Sequence, residues 1–464
     1  MQKHFLNIYT HIILLGLGLS IGSTAQAQMG IGEHFLPRLY SSTFTNPAFQ
    51  QDSRFQLLLG SGGLFALHEG FNLGDILTAT GGNTYELDMD GAINALDANN
   101  LLAISGSVTG PGAVLRIGTK GQIGLSTAVR TQNHILYPKD ALGLLWRGNG
   151  AYIGEDVQVG PAMDFTTFGE VGLSFSWEII KQIKVGARVK YLSGIQHIST
   201  EESNLTFRTD TTIYGLSFTS DYRIRTSGPA AIDPTDIQNF DPGNVAPSSL
   251  SFGGNSGFAF DLGLEVRPME NLRIGASIQD VGSINWDQNA RNFHSQGTFA
   301  YGAVDPLKGQ DSLGEGGIVQ RLLNVVPEGL LDSVIGSLGF AEEQKNFSAP
   351  LRRKFNVSAF WEPIPVIGVG AMYQNMTIGD RSYQLTSLFA SVKVGRALTL
   401  GLSYTGGMKA NMVGFHTRMN AGPLQVYISA DNILGVVSPL NANSGHIRIG
   451  TALTFGNPKG KSGA

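Results

Sequence analysis

The sequence predicts an all-β protein, a transmembrane antiparallel β-barrel of about fourteen strands, with roughly twelve to sixteen compatible with the pattern. Apolar and polar residues alternate along many segments, which is the period of a strand with two unlike faces. Charged residues make up only 15% of the chain, while glycine occurs 61 times. Short turns alternate with long connections, which a soluble sandwich has no reason to do.

The first element, residues 1–27, reads as a signal peptide. Ile12–Ile21 is an apolar core too short to span a bilayer, and Ala25-Gln26-Ala27 has the small residues of a cleavage site. Losing Lys3 with this segment changes the net charge from −4 to −5. So mild a charge gives no reason to expect nucleic acid as a partner. The chain has no cysteine for a lipoprotein anchor, so we expect an integral outer-membrane protein whose partner is the lipid.

Residues 28–54 are predicted to form an N-terminal hatch in or against the mouth of the barrel. Phe35 and Leu39 are among the apolar residues that make this stretch unlike a free tail. Pro37 and Pro47 break any regular strand or helix. The motif Asn46-Pro47-Ala48-Phe49 stands out within it.

Residues 55–455 are predicted to form the barrel and residues 456–464 a tail. The hairpin Phe258–Val281 shows the pattern best, because Phe258, Phe260 and Leu262 alternate with polar residues. The same alternation predicts further strands at Arg54–Gly60, Leu101–Val108, Val114–Gly118, Gln122–Arg130, Val171–Trp177, Ile183–Tyr191, Asn204–Asp210, Thr212–Ile224, Phe355–Trp361, Val366–Tyr373, Gln384–Val394, Leu398–Tyr404, Met412–Met419, Leu424–Ala430 and His446–Phe455.

The connections between these strands fall into two classes. Tight turns are predicted at Ile179–Gln182, Arg267–Asn271, Glu362–Pro365, Gly395–Ala397 and Asn420–Pro423. Longer links are predicted at Thr131–Met163, Ser193–Ser203, Arg225–Asn255, Val281–Arg352, Gln374–Tyr383 and Asp431–Gly445, with two short helices in Ile318–Gly339. Outer-membrane barrels place short turns in the periplasm and long loops outside the cell.

Charged residues on the polar face of the strands are the best functional feature. On the lipid face an Arg or Lys near the bilayer midplane would cost about 2–4 kcal/mol, so these residues should line the lumen. Two readings stay open, a polar conduit or head-group site and a salt-bridged interior that passes nothing. The lumen-facing candidates are Lys184, Arg188, Lys190, Asp261, Glu265, Arg267, Arg273 and Arg448.

The sequence offers no catalytic site, metal site or cofactor motif. His416 and His446 qualify as candidates only because they lie on predicted strands. Glu86, Asp88 and Asp90 resemble the start of a calcium loop, but the glutamate that should close such a loop is missing. We expect a solvated acidic turn there and no enzyme.

Four segments, in this order and spacing, resemble a family of uncharacterised outer-membrane barrels from Bacteroidota: Asn46–Phe49, Gly186–Gly194, Ile278–Trp286 and Ala430–Gly435. The family is distantly similar to PorP/SprF-like proteins of type IX secretion and gliding. It is also distantly similar to FadL-like fatty-acid transport barrels, which have fourteen strands and an N-terminal hatch.

The resemblance implies that the protein binds or passes a small amphipathic molecule, as FadL-like barrels do. The alternative is an accessory barrel that docks secretion or motility proteins, and a third reading is a purely structural outer-membrane protein. An apolar pocket and a lateral gap would favour transport, whereas a filled lumen with ordered outer loops would favour docking.

Overall fold

The computed structural model describes residues 30–36, 38–70, 72, 74, 77–81, 84–212, 214–228, 254–301, 339–379, 381–407, 410–438 and 442–456. The predicted signal peptide lies outside the described residues. So do the tail beyond Gly456 and, except for Gly339, the helices predicted in Ile318–Gly339.

The described chain is dominated by strands. In order they are β1 (Phe55–His68), β2 (Leu77–Gly81), β3 (Thr84–Leu87), β4 (Asn99–Thr109), β5 (Gly112–Ile117), β6 (Gly121–Pro138), β7 (Asp156–Gln158), β8 (Ala162–Ile180), β9 (Ile183–Thr209), β10 (Leu216–Ser227), β11 (Asn255–Met269), β12 (Leu272–Trp286), β13 (Arg291–Tyr301), β14 (Ala341–Glu343), β15 (Phe347–Pro350), β16 (Lys354–Ile364), β17 (Ile367–Ile378), β18 (Arg381–Val394), β19 (Leu398–Gly407), β20 (Ala410–Ala421), β21 (Leu424–Asn432) and β22 (Ser444–Phe455).

The helices of the described residues are short. They are α1 (Ile31–Phe35), α2 (Ser42–Thr45), α3 (Met89–Ala95), α4 (Lys139–Arg147), the 3-10 helix Asn149–Tyr152 and α5 (Leu434–Val437). Across the described ranges, none of these helices has the length and apolar character needed to cross a membrane.

Fourteen wall strands close into one antiparallel barrel, as the alternation predicts. Closure comes from the pairing of β1 with β22, in which Phe55 lies opposite Phe455. Two wall strands are interrupted: β4 continues as β5 after Gly110 and Pro111, and β15 continues as β16. At the first break Thr127 donates a hydrogen bond to the carbonyl oxygen of Pro111 at 2.9 Å.

The two ends of the barrel differ. At the turn end, the connections 118–120, 181–182, 270–271, 365–366, 395–397 and 422–423 are short, and the chain enters β1 and leaves β22 there. The five predicted tight turns lie at this end. At the opposite end, the loop end, β9 runs beyond the wall and pairs with β7 and β10, and β10 pairs with β13 and β13 with β14. These strands form an outer sheet.

Four predicted links differ from the structure. Val281–Arg352 contains strands, because β12 continues to Trp286 and β13, β14 and β15 follow it. Ser193–Ser203 is part of the continuous strand β9, where Leu192 and Ser193 are both buried, so a two-faced pattern does not apply. Gln374–Tyr383 is a tight turn, because Ile378 pairs with Arg381 around Gly379. Met376 and Ile378 point inward there and Asn375 and Thr377 outward, which reverses the expected faces. Thr131–Met163 is a link only from α4 onward, since β6 continues to Pro138.

Within the segment predicted at Thr212–Ile224 the strand β10 begins at Leu216, and it belongs to the outer sheet and not to the barrel wall. Its partners β9 and β13 lie on the two sides of it, so it adds nothing to closure. The outer face of the wall is apolar, with Leu173, Phe258 and Leu402 between 54% and 59% exposed. Most of the buried polar and charged residues lie on the inner face.

Candidate functional site

Residues 30–36 and 38–54, here called the N-terminal segment, lie inside the barrel toward the turn end. Its first anchor is Asp431 of β21, whose carboxylate accepts a hydrogen bond from the Gly30 backbone at 2.9 Å. Gly30 adopts a φ of 67°, a left-handed conformation that favours glycine. Gly32 fits for another reason, since a Cβ there would come within 2.2 Å of the His416 ring. Only a bare backbone can approach the wall this closely.

The motif Asn46-Pro47-Ala48-Phe49 lies on three glycines of neighbouring strands. A Cβ on Gly186 would lie 2.2 Å from the Pro47 carbonyl oxygen, and one on Gly263 would lie 2.1 Å from the Asn46 side chain. A Cβ on Gly275 would lie 3.1 Å from the Phe49 ring. The glycines therefore form a flat seat on β9, β11 and β12.

Polar contacts secure this seat. The Asn46 amide donates to the carbonyl oxygens of Leu264 and Ala276 at 3.1 and 3.2 Å. Its own oxygen accepts the Ala48 backbone N–H at 2.9 Å. One side chain thus joins two wall strands to the turn of the motif, which explains the residue type at position 46.

A buried charged cluster lies beside the segment, on β6, β8, β9, β11 and β12. Asp280 receives two hydrogen bonds of 2.8 Å from Arg130 across the lumen. The same arginine donates to Glu170 at 2.9 Å. Lys190 lies 2.6 Å from Asp261 and 2.7 Å from Asp280. Each buried charge is compensated by its partner, so the loss of one group would leave the other buried and unpaired.

A β-bulge places Asp280 in the cluster. The register of β11 and β12 shifts there, so Gln279 and Asp280 both point inward between outward-facing Ile278 and Val281. Asp280 has a φ of 59°, which is uncommon for a residue with a side chain. Its backbone N–H donates to the Asp261 carboxylate at 2.8 Å. The cluster itself therefore holds the bulge.

A cavity of about 40 Å³ opens within this cluster. Its lining combines charged side chains of the wall with Phe44 of the N-terminal segment and Thr109 and Ser126 beside the Gly110–Pro111 break. The charged lining residues are Arg130, Glu170, Arg188, Lys190, Asp280 and Lys354. The guanidinium of Arg188 lies 4.6 Å from the centre of the Phe44 ring, so the segment closes one side of the cavity.

The opposite part of the inner surface is apolar. Phe35 stacks on Phe389 of β18 with ring centres 5.1 Å apart. From there a buried apolar cluster continues toward the loop end through side chains of β1, β4, β17, β18 and β20: Phe65, Leu67, Leu101, Ala103, Met376, Ile378, Tyr383, Leu385 and Met412. The charged and apolar parts meet at Lys354 of β16, which lies opposite Met376.

The predicted lumen residues separate into three groups. Arg188, Lys190 and Asp261 belong to the central cluster. Lys184, Glu265 and Arg267 form a second group nearer the turn end, where Arg267 lies 2.7 Å from Glu265 and Lys184 lies 3.5 Å from it. The other two contact the N-terminal segment, Arg273 over the Phe49 ring at 4.3 Å and Arg448 beside Glu33 at 3.3 Å.

The remaining polar candidates have structural partners. The imidazole of His446 lies 2.7 Å from Asp431, and that of His416 lies 2.9 Å from both Ser403 and Ser429. All these side chains are deeply buried. In the acidic turn, Asp88 caps α3 and Asp90 pairs with Arg147 at 2.7 Å. In the parts of the chain that are described, no group of His, Asp and Glu could hold a metal ion.

One titratable group of the N-terminal segment has a pKa far from its usual value. Burial lowers the pKa of His34 to about 3, with a smaller contribution from the nearby Arg273 guanidinium. The neutral ring lies 3.0 Å from Thr45 and 2.7 Å from Ser358. His34 is therefore uncharged at neutral pH and links the segment to β16.

Residues 47–431 match the model of the Family of unknown function (DUF5723). The chain belongs to this family. A comparison with curated protein sequences finds no match.

Solved structures of similar fold include three bacterial barrels. The Ralstonia pickettii toluene transporter TbuX is 10% identical, with 89% of this chain and 93% of that one covered and a TM-score of 0.42. The Pseudomonas putida toluene transporter TodX is 9% identical over 94% and 96%, with a TM-score of 0.43. A Pseudomonas aeruginosa FadL homologue is 13% identical over 94% and 98%, with a TM-score of 0.41.

Strand alternation did not identify four residues of the charged cluster as site candidates. They are Arg130, Glu170, Asp280 and Lys354. Arg130 is the last residue of a predicted strand, and Glu170 and Lys354 each come just before one. Asp280 carried a usable signal, because two polar residues in succession between Ile278 and Val281 break the period of two and indicate a bulge.

Proposed function

We propose that this protein is an integral outer-membrane barrel that binds a small amphipathic molecule and passes it across the membrane. One observation carries the proposal: the inner surface has a charged part and an apolar part that meet at Lys354 and Met376. An amphipathic molecule needs both surfaces at once, since a polar group loses free energy in an apolar site without a partner.

The outer face of the wall supports the membrane location. Large apolar side chains stay exposed around the barrel, among them Phe175, Phe260 and Leu388 at 48–58%. A soluble monomer rarely exposes a contiguous apolar surface of this extent. Lipid covers such a belt at no cost, and the barrel leaves no open strand edge in the bilayer.

The N-terminal segment acts as the hatch in this proposal. It fills the turn end through the glycine seat, the Asp431 anchor and the Phe35 stack, and it closes the cavity with Phe44. We place the turn end in the periplasm and the outer sheet outside the cell, as loop lengths in such barrels favour. Passage then requires this segment to shift.

Proteoliposomes test the proposal directly. The intact barrel should take up octanol or octanoate faster than empty liposomes while retaining an encapsulated hydrophilic dye. Deleting residues 28–49 should leave a folded barrel that leaks the dye. An intact barrel that takes up neither amphipath, together with a folded deletion variant that retains the dye, would contradict both the transport and the hatch.

Hatch position has an independent test, because the chain has no cysteine. A single cysteine at Ala48 should react with a membrane-impermeant maleimide only after the outer membrane is opened, and slowly, since Ala48 is fully buried. A matched cysteine at Thr219, exposed on the outer sheet, should react in intact cells. The reverse pattern would invert the topology.

A second function, the docking of partner proteins such as those of secretion or gliding in Bacteroidota, is favoured by the outer sheet. β9, β10 and β13 pair over most of their length beyond the wall, so the barrel presents an ordered surface there. A photo-crosslinker at Thr219 in growing cells should then give one adduct of defined mass. If no adduct forms, docking is contradicted and transport remains as the proposed function.

A further inference from the structure

The central cluster carries one more positive than negative group. Its cations are Arg130, Arg188, Lys190 and Lys354, and its carboxylates are Glu170, Asp261 and Asp280, all at most 8% exposed. Because an isolated buried charge costs several kcal/mol, the surplus charge needs a counterpart.

The contacts identify which cation is in surplus. Arg130 forms ion pairs with Glu170 and Asp280, and Lys190 forms ion pairs with Asp261 and Asp280, all at 2.6–2.9 Å. Arg188 lies 3.5 Å from Asp261 and donates to the Thr43 carbonyl oxygen at 3.1 Å. Among the described residues, the Lys354 ammonium forms no ion pair and no hydrogen bond, although the side chain is only 8% exposed.

Lys354 also lines the cavity, together with Arg188. A volume of about 40 Å³ holds roughly three water-sized particles, given about 10–15 Å³ for each. The space is therefore too small for an aromatic ring or a sugar but sufficient for a halide, a nitrate or a carboxylate group.

We propose that this cavity binds a small monovalent anionic group, held by the Lys354 ammonium and the Arg188 guanidinium. The anion completes the charge balance of the cluster, since Glu170 and Asp280 are already engaged by Arg130 and Lys190. It also supplies an acceptor for the N–H groups of Lys354. A divalent anion such as sulfate would leave the cluster with a net negative charge, so the site should reject it.

The site is testable by the thermal stability of the purified full-length barrel in detergent micelles. Chloride, nitrate or formate should raise Tm in a saturable way when each replaces gluconate at constant sodium and ionic strength. Sulfate at the same ionic strength should not. Equal effects of all anions, or none of any, would overturn the proposal, because a site-specific ion saturates and discriminates.

Two substitutions of opposite sign sharpen the test. Lys354→Met removes the surplus charge and should weaken anion binding about tenfold or more, as expected for the loss of a charge-assisted hydrogen bond. Glu170→Gln raises the surplus and should tighten it. The control Lys393→Met removes a lysine of β18 that pairs with Glu362 outside the cavity, and it should leave the anion response unchanged.

A direct measurement covers the case in which Lys354→Met does not fold. Crystals of the intact barrel grown with bromide should show one anomalous peak within the cavity, near Lys354. A cavity free of bromide under saturating conditions would exclude the site. This experiment measures equilibrium binding, so its outcome is separate from any permeation result.

The anionic group could arrive as a free ion or as the acid group of the amphipathic molecule. Hexanoate distinguishes the two sources, because an apolar tail should add affinity only if it reaches the apolar cluster beyond Met376. Hexanoate that binds more tightly than formate indicates the acid group of an amphipath and deepens the proposed function. Equal affinities indicate a free resident ion.

Discussion

The two parts of the inner surface are held together by different physics. Around Asp280, on the side of β6 to β12, ion pairs and hydrogen bonds join strands across the lumen. Around Leu385, on the side of β1, β4 and β17 to β20, apolar side chains pack against one another. Directional charged contacts fail when one member is lost, because its partner stays buried and unpaired. Truncation of an apolar side chain lowers the stability in proportion to the buried volume that is removed.

The largest expected effect is that of Asp280→Asn. It removes the shared acceptor of Arg130 and Lys190 and should reduce the free energy of unfolding by about 3–5 kcal/mol. Guanidinium unfolding in micelles measures it. Asp156→Asn, which breaks an exposed pair with Arg208 on the outer sheet, is the control and should change nothing measurable. An equally stable Asp280→Asn variant would mean that the cluster does not hold the bulge.

Leu385→Ala should come next, with a loss of about 2–4 kcal/mol, because a fully buried leucine leaves a cavity. Leu388→Ala on the outward face, where the side chain is 58% exposed, serves as its control and should cost much less. Conservative changes sharpen the contrast. Leu385→Met should be nearly neutral, whereas Asp280→Glu should not, since the longer side chain cannot keep the same paired geometry from the bulge. Equal tolerance at both positions would erase the distinction between the two parts.

Phe35→Leu tests how the N-terminal segment uses the apolar part. Losing the stack on Phe389 should cost about 1–2 kcal/mol, since aromatic pairs add roughly 0.5–1.5 kcal/mol to the burial of their area. The loss should fall on docking of the segment and not on the wall. Hydrogen exchange should therefore quicken for residues 30–49 while β18 stays protected. Exchange that quickens equally in both would show that segment and wall unfold together.

The smallest effect expected close to neutral pH is a pH dependence from His34. Its pKa in the folded protein is about 3, below the value of about 6.5 for an unfolded chain. Protonation therefore favours release of the segment: docking is unaffected above about pH 6.5 and weakens as pH falls from there toward 3, by roughly 0.8 kcal/mol at pH 6. Hydrogen exchange of residues 30–49 between pH 7 and 5, corrected for intrinsic rates, measures this. His34→Gln should remove that part of the dependence, and an identical profile in both proteins would assign it to other groups.

Residue alternation and composition are sufficient to predict the fold class and the approximate strand number. Alternation such as that of Phe258, Phe260 and Leu262 specifies which side of a strand is apolar, and low charge with many glycines selects the membrane barrel. The same alternation assigns Lys190 and Asp261 to the polar face, because a pleat has only two sides.

The contacts between polar residues could not be predicted from the sequence, because they depend on how the strands are arranged in the barrel. Arg130 and Asp280 are 150 residues apart, and their contact depends on the closure of β1 with β22 and on the bulge at Gln279–Asp280. The environment on each side of a strand likewise determines that Met376 and Ile378 face inward and that β9 continues over its full length. Local periodicity fixes a side chain's face, but the partner across a lumen depends on the register of every strand between them.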